Sequence, residues 1–513
     1  MGARAERNDQ EVVETDVPQR MDRLPWSRWH WLVVIALGVT WVLDGLEVTI
    51  VGAIASVLQR PDTLSLSATE IGLAGSIYIV GAVVGAFTFG YLTDRLGRKR
   101  LFMWTLLVYL VATVATAFSW AAIPFFVFRF FTGMGIGGEY AAINSATEEL
   151  NPARVRGRVE LAINGSWWAG TAAGAALTLI VLNPALFSPN VGWRLAFGLG
   201  AVLGLGVLLI RRLLPESPRW LMTHNREEEA EEVVSDIERQ VKEYTGRPEL
   251  PQPEGDPIQI HPRDHTPPRE IFRTMFRDDR KRTVLGLTLM AAQAFVYNAV
   301  FFTFGLVLTT FFKVPDQSVG LYILPFAVGN FLGPFLLGPL FDSIGRRTMI
   351  AFSYIASGVL LAVTGWMFSQ GILFTSGWSI TIAWSIIFFF ASAGASAGYL
   401  TVSEIFPLEI RANAIAFFFA IGTGIGGIIG PLLFGKLIDT GKESMVAVGY
   451  WIGAGAMILA GVVEALIGVD AEQKPLEEVA QPLSAESDTA SVSEGGRQEA
   501  GSGSPSPRDR RAG

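Results

Sequence analysis

Two carboxylates within the first long apolar run are the residues of this chain best suited to chemistry. Asp44 and Glu47 lie three positions apart, so a helix places both on one face. An ionisable side chain inside a membrane span costs about 2.5–3.5 kcal/mol on insertion scales and therefore indicates a function. A buried carboxylate can bind and release a proton as its surroundings change from apolar to cationic. The alternative is that both side chains lie near an outer interface and face water.

The composition is that of a chain that crosses a membrane many times. Half of the 513 residues are apolar and only 17% are charged, whereas a soluble chain of this length needs more polar surface. The absence of cysteine excludes disulfides, thiolate metal sites and cysteine nucleophiles. The first residues do not resemble a cleavable signal peptide, and the tryptophan-rich cluster Pro25–Trp31 predicts an interfacial anchor before the first span.

A pair of motifs occurs twice in the same order. Gly90–Lys99 (GYLTDRLGRK) returns in outline as Gly338–Arg347 (GPLFDSIGRR), 248 residues later. Glu149–Arg156 (ELNPARVR) returns as Glu404–Arg411 (EIFPLEIR), 255 residues later. Two motifs at nearly the same offset indicate a duplicated half, which is the plan of secondary transporters.

Apolar runs long enough to cross about 30 Å of hydrocarbon occur six times on each side of a hydrophilic middle. The sequence therefore predicts an all-α membrane protein with twelve transmembrane helices in two pseudo-symmetric six-helix bundles. The predicted spans are roughly 31–53, 71–92, 101–118, 122–146, 161–182, 194–212, 284–312, 319–341, 348–368, 376–402, 413–435 and 446–469. The predicted units are a tail (1–28), a first bundle (29–214), a connector with a solvated helix (215–282), a second bundle (283–469) and a disordered tail (470–513).

Basic residues concentrate in alternate loops. By the positive-inside rule these loops face the cytoplasm, which places both termini there and the chain in the cell membrane. The loop residues that carry this argument are Arg95, Arg98, Lys99, Arg100, Arg154, Arg156, Arg158, Arg346, Arg347 and Arg411.

The duplicated loop closely resembles the hallmark of the major facilitator superfamily, and the resemblance covers roughly residues 30–470. It implies two bundles that rock around a central cavity, with charged loops that lock one side of the membrane and then release it. The turn in the first loop needs a residue such as Gly97, which can adopt a positive φ. The implied gating residues are Asp94, Arg95, Gly97, Arg98, Asp342, Gly345, Arg346, Glu149, Arg156, Glu404 and Arg411.

Four segments resemble the sugar-porter branch of that superfamily: Arg129–Glu149, Pro215–Trp220, Gln293–Phe302 and Ser403–Pro407. The resemblance implies that Gln293 and Asn298 contact the substrate. Further candidates for substrate binding are Tyr297, Asn164, Trp168 and Tyr399. Polar amides within spans also serve as contacts between helices, and this alternative stays open for these residues.

The sugar-pocket pattern has departures. Phe295 and Val296 stand where the branch usually has Ser-Gly, and Tyr399 stands where it has tryptophan. These positions line the sugar pocket of the branch, so the departures favour another small organic solute.

The segment Trp41–Glu47 resembles the Asp-Gly-x-Asp motif of aromatic-acid and metabolite:proton symporters, and Glu47 falls where sugar porters have a proton-coupling aspartate. At the helical rise, Asp44 lies about 20 Å from the cytoplasmic boundary and Arg129 lies about 10 Å from the opposite face. These depths match in a core of about 30 Å. We therefore expect Arg129 to pair with Glu47 or Asp44, and protonation of the carboxylate to break the pair.

These observations predict a secondary active transporter that moves a small organic solute, such as a carboxylate or an aromatic acid, by proton-coupled alternating access. The alternatives are a sugar or polyol:proton symporter and a proton-driven efflux antiporter. No phosphate-binding GxxxxGK[ST] motif occurs, so an ion gradient is the expected energy source.

No nucleophile–base set and no metal-ligand set occurs in the spans, so neither an enzyme, a cofactor nor a metal is predicted. The predicted partners are the solute, protons and the lipid bilayer, with no nucleic acid, and the predicted state is a monomer. A membrane sensor without transport is disfavoured because the tails lack a foldable output domain.

Overall fold

The structure, a computed structural model, describes residues 13–212, 214–223, 226–252, 258–260, 273–406 and 408–469, and the side chains of some helical residues within these ranges are not described. Its long elements are helices. One antiparallel pair of short strands lies outside the bundles, with β1 (Val13–Thr15) against β2 (Ile258–Ile260). The helices are α1 (Val17–Asp22), α2 (Arg28–Leu58), α3 (Ala68–Leu96), α4 (Arg98–Ala117), α5 (Ala122–Leu150), α6 (Ala153–Val181), α7 (Pro189–Arg211), α8 (Pro218–Thr223), α9 (Glu227–Thr245), α10 (Arg280–Phe312), α11 (Val319–Ser343), α12 (Arg346–Ser369), α13 (Gly377–Glu404), α14 (Leu408–Asp439) and α15 (Glu443–Ile467).

Each predicted span corresponds to one long helix, with α2–α7 in the first bundle and α10–α15 in the second. Within the described residues, ten of these twelve helices have both the length and the apolar composition to cross a bilayer. The other two are α5, which four charged residues interrupt, and α6, which is rich in alanine and glycine and begins with several charges. They pack along α3 and α2 and so complete the first bundle.

A glycine with positive φ begins the helix after each duplicated loop. Gly97 (φ 92°) precedes α4, and Gly345 (φ 110°) precedes α12. Only glycine adopts such values without steric cost, so the turn chemistry of both copies is the same. We call the end of the molecule that carries these two glycines the motif end, and the opposite end, where α3 begins and α14 ends, the distal end.

The two bundles meet mainly along three helix pairs, α2 with α10, α3 with α14, and α6 with α11, and α3 also contacts α10. At the distal end, Asp439 closes α14 and accepts hydrogen bonds from the backbone N–H groups of Ala68 and Thr69, each at 2.8 Å. The first N–H groups of a helix need partners from outside the helix, and here the second bundle supplies them to α3. This contact joins the bundles at the distal end.

The hydrophilic connector packs against the N-terminal segment. The helix α9 has an apolar stripe whose four residues are buried against α1 and α8. The prediction of a solvated connector helix is therefore wrong for this face, because spacings of three and four residues align the stripe on one side. The buried residues of the stripe are Ala230, Val234, Ile237 and Val241. We call residues 13–24 together with α9 and β2 the N-terminal clip.

Ion pairs join the two parts of the clip. The Glu238 carboxylate accepts hydrogen bonds from Arg20 Nε at 3.0 Å and from Arg23 Nη2 at 2.6 Å. Burial by itself raises the pKa of Glu238, but the two arginines outweigh it and hold the pKa below its ordinary value. With a depressed folded-state pKa, the contribution of Glu238 to stability is present above about pH 4.3, the unfolded value, and is lost as the pH falls through the folded value.

The described residues test the predicted tryptophan anchor but neither the predicted disordered tail nor the unit boundaries. The tryptophan cluster is only partly an interfacial anchor, since Trp31 is 53% exposed whereas Trp29 is buried beside the clip. This burial follows from the docked N-terminal segment, which the sequence pattern did not indicate. The predicted disordered tail, residues 470–513, lies outside the described residues, and the unit boundaries stay predictions.

We expect Glu238→Gln to release the N-terminal segment, because an amide cannot form the charge-assisted hydrogen bonds with the two arginines. Hydrogen–deuterium exchange of residues 13–24 should become about fivefold faster, the factor for about 1 kcal/mol, which is the upper value for a partly exposed ion pair. Glu232→Gln, at an exposed position on the same helix, is the control. Equal exchange in the two variants would contradict the clip.

Candidate functional site

A buried ion pair lies within the first bundle. Arg129 on α5 is fully buried and its Nη1 contacts Glu47 Oε1 on α2, which is 1% exposed. The second oxygen of Glu47 accepts a hydrogen bond from Thr113 Oγ1 on α4 at 3.1 Å. The guanidinium lies over the ring of Tyr78 on α3, 4.4 Å from its centroid. The structure thus brings together the pair that the sequence predicted, with Glu47 as the partner of Arg129.

Asp44 lies one turn before Glu47 on α2 and is held by three donors. Tyr78 donates its hydroxyl to Oδ1 at 2.9 Å, and Tyr140 donates its hydroxyl to Oδ2 at 2.8 Å. The indole Nε1–H of Trp167 also donates to Oδ2, at 2.8 Å. These donors come from α3, α5 and α6, and Asp44 is 5% exposed. A carboxylate that accepts from three donors has its negative charge distributed over several hydrogen bonds.

Close helix packing brings these side chains into reach. A Cβ at Gly45 would lie 2.1 Å from the carbonyl oxygen of Trp167, so only glycine allows α2 and α6 to approach this closely. A Cβ at Gly133 would lie 1.9 Å from the carbonyl oxygen of Tyr78, which brings α5 and α3 together in the same way. Both glycines are next to the residues that contact Asp44 and Arg129.

The donor set decides which ion the site can bind. Tyr78, Tyr140, Trp167 and Arg129 direct O–H and N–H donors at the carboxylates, whereas a hard cation such as sodium needs oxygen acceptors. Among the described residues, no group of three or more histidine, aspartate and glutamate side chains is arranged to hold a metal ion. The cation that balances the carboxylates is Arg129.

A small hollow lies beside Asp44 between α2 and α5. It is lined by Thr40 and Trp41 on one side and by Glu139 and Tyr140 on the other. Glu139 is 1% exposed, so the hollow beside Asp44 is lined by a further buried carboxylate.

The predicted substrate residues of the second bundle lie around α10. Tyr297 donates its hydroxyl to Asn330 Oδ1 at 3.1 Å, and Asn298 donates to the carbonyl oxygen of Ala294 on its own helix. Gln293 is 5% exposed, and its Oε1 has no partner among the described residues. An unpaired amide oxygen in a buried position is available to a donor on a ligand.

The predicted residues on α6 differ from one another. Trp168 is half-buried and its ring lies 6.0 Å from Phe301 and 6.4 Å from Tyr297, both in the second bundle. Asn164, in contrast, is exposed. The side chain of Tyr399 lies outside the described part of the structure.

Only some of the predicted gating residues have described side chains. Gly97 is buried against the connector, where the backbone N–H of Lys99 donates to Glu216 Oε2 at 3.2 Å. Gly345 and Arg346 are half-buried at the matching position of the second copy. The side chains outside the described part are those of Asp94, Arg95, Arg98, Asp342, Glu149, Arg156, Glu404 and Arg411.

Sequence reasoning missed the donors around the carboxylates. A partial signal exists for Tyr140, which lies eleven residues, or about three helical turns, after Arg129 and so shares its face of α5. Tyr78, Thr113 and Trp167 carry no comparable signal, because single tyrosine, threonine and tryptophan residues are ordinary in apolar spans.

Comparison with known proteins agrees with this architecture. A sequence profile of the sugar (and other) transporter family matches residues 31–483. The niacin transporter NiaP of Acinetobacter baylyi is 27% identical over 421 residues, which cover 82% of this chain and 89% of that protein. Myo-inositol transporter 2 of Schizosaccharomyces pombe is 28% identical over 451 residues, which cover 82% of this chain and 76% of that protein.

Solved structures show the same fold. The crystal structure of a D-xylose-proton symporter superimposes with a TM-score of 0.67 at 17% identity, covering 87% of this chain and 99% of that chain. At this identity the likeness speaks for the fold alone. It confirms the predicted fold class, an all-α membrane protein of two six-helix bundles.

We expect each single substitution in the ion pair to destabilise the protein more than the double substitution. Glu47→Gln removes the carboxylate that contacts Arg129 and leaves only Asp44, one turn away, to balance the guanidinium. Breaking a buried pair costs about 3–5 kcal/mol where no other charge compensates, so we expect a smaller loss here, whereas removing both charges is often close to neutral. The apparent Tm in detergent should therefore fall in Glu47→Gln and in Arg129→Gln and recover in the double variant. Asp62→Asn is the control, because its pair with Arg60 is about half exposed. A Glu47→Gln protein that melts like the wild type would contradict the pair.

Proposed function

The chain belongs to the sugar (and other) transporter family and is a secondary transporter of small solutes, and we propose that it moves its solute together with protons. The observation that supports this proposal is the buried Arg129–Glu47 pair beside Asp44. Family and relatives are transporters, which confirms that the chain is not an enzyme.

In the proposed cycle, Glu47 is the carboxylate that binds the proton. Protonation removes its charge and releases Arg129, whose Nε and Nη2 already have no partner among the described residues. A guanidinium presents five N–H donors in a planar fork that fits a carboxylate. The anionic group of a substrate can then take the place of Glu47, so proton and anion enter together without net charge.

The proposed substrate is a small organic acid with an aromatic ring. Arg129 is the one fully buried arginine or lysine side chain among the described residues, and rings line the space between the bundles. Aromatic rings favour a planar ligand through offset-stacked and edge-to-face contacts. Those rings belong to Trp41, Tyr140, Trp167, Trp168, Tyr297 and Phe301.

A polyol:proton symporter is the second candidate. The observation that favours it is the unpaired Oε1 of Gln293, which suits a hydroxyl donor on a ligand. The myo-inositol relative transports a compound of this class according to its name.

The membrane topology is also part of the proposal. The basic loops at the motif end favour an orientation with that end and both termini in the cytoplasm. The proposed protein is a monomer in the cell membrane. Because Asp439 joins the bundles at the distal end, the structure then corresponds to a state closed toward the outside.

We expect nicotinate and benzoate to raise the apparent Tm of the purified protein, because a ligand of the native state stabilises it by mass action. At ten times the Kd the gain is about 1.4 kcal/mol. Loss of this Tm shift in Arg129→Gln, with the shift retained in the control variant Asp62→Asn, would show that ligand binding requires Arg129. Stabilisation by myo-inositol or D-xylose alone would favour the polyol candidate, and stabilisation by hydrophobic drugs alone would favour an efflux antiporter.

We expect Glu47→Gln to lose accumulation driven by a proton gradient while it still exchanges labelled substrate across a proteoliposome membrane. Exchange needs no net proton movement, whereas accumulation needs a group that binds and releases the proton. The measurement is uptake of the radiolabelled ligand found above, with and without an inward proton gradient, alongside external alkalinisation. Accumulation at the wild-type level in Glu47→Gln would contradict proton coupling through this residue.

A further inference from the structure

Every donor that holds Asp44 is packed against a phenylalanine of the opposite bundle. The donors belong to α3, α5 and α6 of the first bundle, and the phenylalanines belong to α10 and α14 of the second. The ring pairs are Tyr78 with Phe302 (5.8 Å between centroids), Tyr140 with Phe419 (4.8 Å) and Trp167 with Phe301 (5.2 Å).

Two of these phenylalanines fit tightly into the first bundle. A Cβ at Gly75, one turn before Tyr78 on α3, would lie 2.8 Å from Cγ of Phe302, which is fully buried. A Cβ at Gly52 on α2 would lie 2.1 Å from the carbonyl oxygen of Phe301. A packed interface of this kind changes between discrete arrangements and does not deform continuously. Any rocking of the bundles must therefore move these rings.

Tyr78 connects the two halves of the site. Its hydroxyl donates to Asp44, and its ring makes a cation–π contact with the guanidinium of Arg129, which pairs with Glu47. If Phe302 displaces the Tyr78 ring, two contacts of that ring change. They are the hydrogen bond to Asp44 and the cation–π contact with Arg129, the partner of Glu47.

We propose that Tyr78, Tyr140 and Trp167 are positioning residues that transmit the relative movement of the bundles to Asp44 and, through Tyr78, to the Arg129–Glu47 pair. The proposal rests on the proposed proton coupling. Coupling between two equilibria is reciprocal, so protonation of the site must in turn shift the equilibrium between bundle arrangements.

The titratable groups that face the two carboxylates come from three helices. Tyr78 faces them from α3 and Tyr109 from α4, and α5 contributes Arg129, Glu139 and Tyr140. We call the transmission of bundle movement to the carboxylates through Tyr78, Tyr140 and Trp167 the relay. If the relay exists, a substitution of a phenylalanine in the second bundle must change the response to pH, although the second bundle contains none of these titratable groups.

The absence of cysteine in the chain allows a test without an identified substrate. Spin labels on Arg100→Cys and Ser343→Cys, two exposed positions at the motif end of the first and second bundle, report the separation of the bundles. Distances are measured in lipid nanodiscs between about pH 5 and about pH 9, the range that tuned carboxylates cover. We expect the distance distribution of the otherwise unchanged protein to shift with pH.

The variants Tyr78→Phe and Phe302→Leu should reduce this shift at least about twofold by uncoupling the rings from the carboxylates. Tyr354→Phe and Phe368→Leu are the matched controls, since their side chains are equally buried and contact their own bundle. They should keep the full shift. Tyr140→Phe serves as a second hydroxyl deletion if Phe302→Leu does not fold, as judged by its apparent Tm and elution volume.

A full shift in Tyr78→Phe, Tyr140→Phe and Phe302→Leu overturns the relay, and so does a wild-type distance that is independent of pH. Proton-coupled uptake in the wild type, together with either result, leaves the proposed function intact. Uptake of substrate without external alkalinisation would instead remove the proposed function itself.

Discussion

A charge inside a bilayer has to be satisfied by the protein that surrounds it, and this constraint explains the construction of the first bundle. The helix α2 carries two carboxylates that are at most 5% exposed. Four neighbouring helices each direct a polar group at them. The packing of the bundle therefore determines which groups compensate these buried charges. The groups are Tyr78 on α3, Thr113 on α4, Arg129 and Tyr140 on α5, and Trp167 on α6.

The two bundles divide the chemistry unequally although the chain is duplicated. In the first bundle the buried polar groups around α2 are charged, whereas around α10 of the second bundle they are amides and aromatic rings. The turns at Gly97 and Gly345 have kept the same geometry in both copies. The two copies therefore share the turn geometry of the duplicated loop, whereas their central residues differ. In the proposed function the first bundle binds the proton and the second contacts the solute.

The sequence was sufficient for features that depend on local pattern. Apolar runs predicted the twelve long helices of the two bundles, because the bilayer imposes a length and a composition on each span separately. The pairing of Arg129 with Glu47 or Asp44 followed from depth, since two helices that cross the same bilayer can be compared residue by residue, but depth did not decide between the two carboxylates. The donors to Asp44 could not be predicted in this way, because a tyrosine hydroxyl finds its partner only when the azimuthal positions of several helices are known.

The apolar stripe of α9 is a feature that the sequence pattern contained and that its composition obscured. The stripe in α9 has helical spacing, yet the glutamates around it suggested a helix in solvent. Its partner is the N-terminal segment that contains α1, Arg20 and Arg23, separated from α9 by more than two hundred residues. The charged composition of α9 shows that the helix is compatible with solvent on its polar face. Which segment covers its apolar face depends on the assembled fold, because that segment is distant in sequence.

Two adjacent carboxylates solve a difficulty that one would leave. If Glu47 alone faced Arg129, its protonation would leave the guanidinium charge without compensation in a low-dielectric interior, where an isolated charge costs several kcal/mol. Asp44 lies one turn away and is held by three donors, so in the proposed cycle its charge can balance Arg129 until a substrate anion arrives. Paired titratable groups in different environments take different roles. Glu47 then serves to exchange the proton and Asp44 to keep the site electrically balanced, and the rings that hold Asp44 make this balance depend on the arrangement of the bundles.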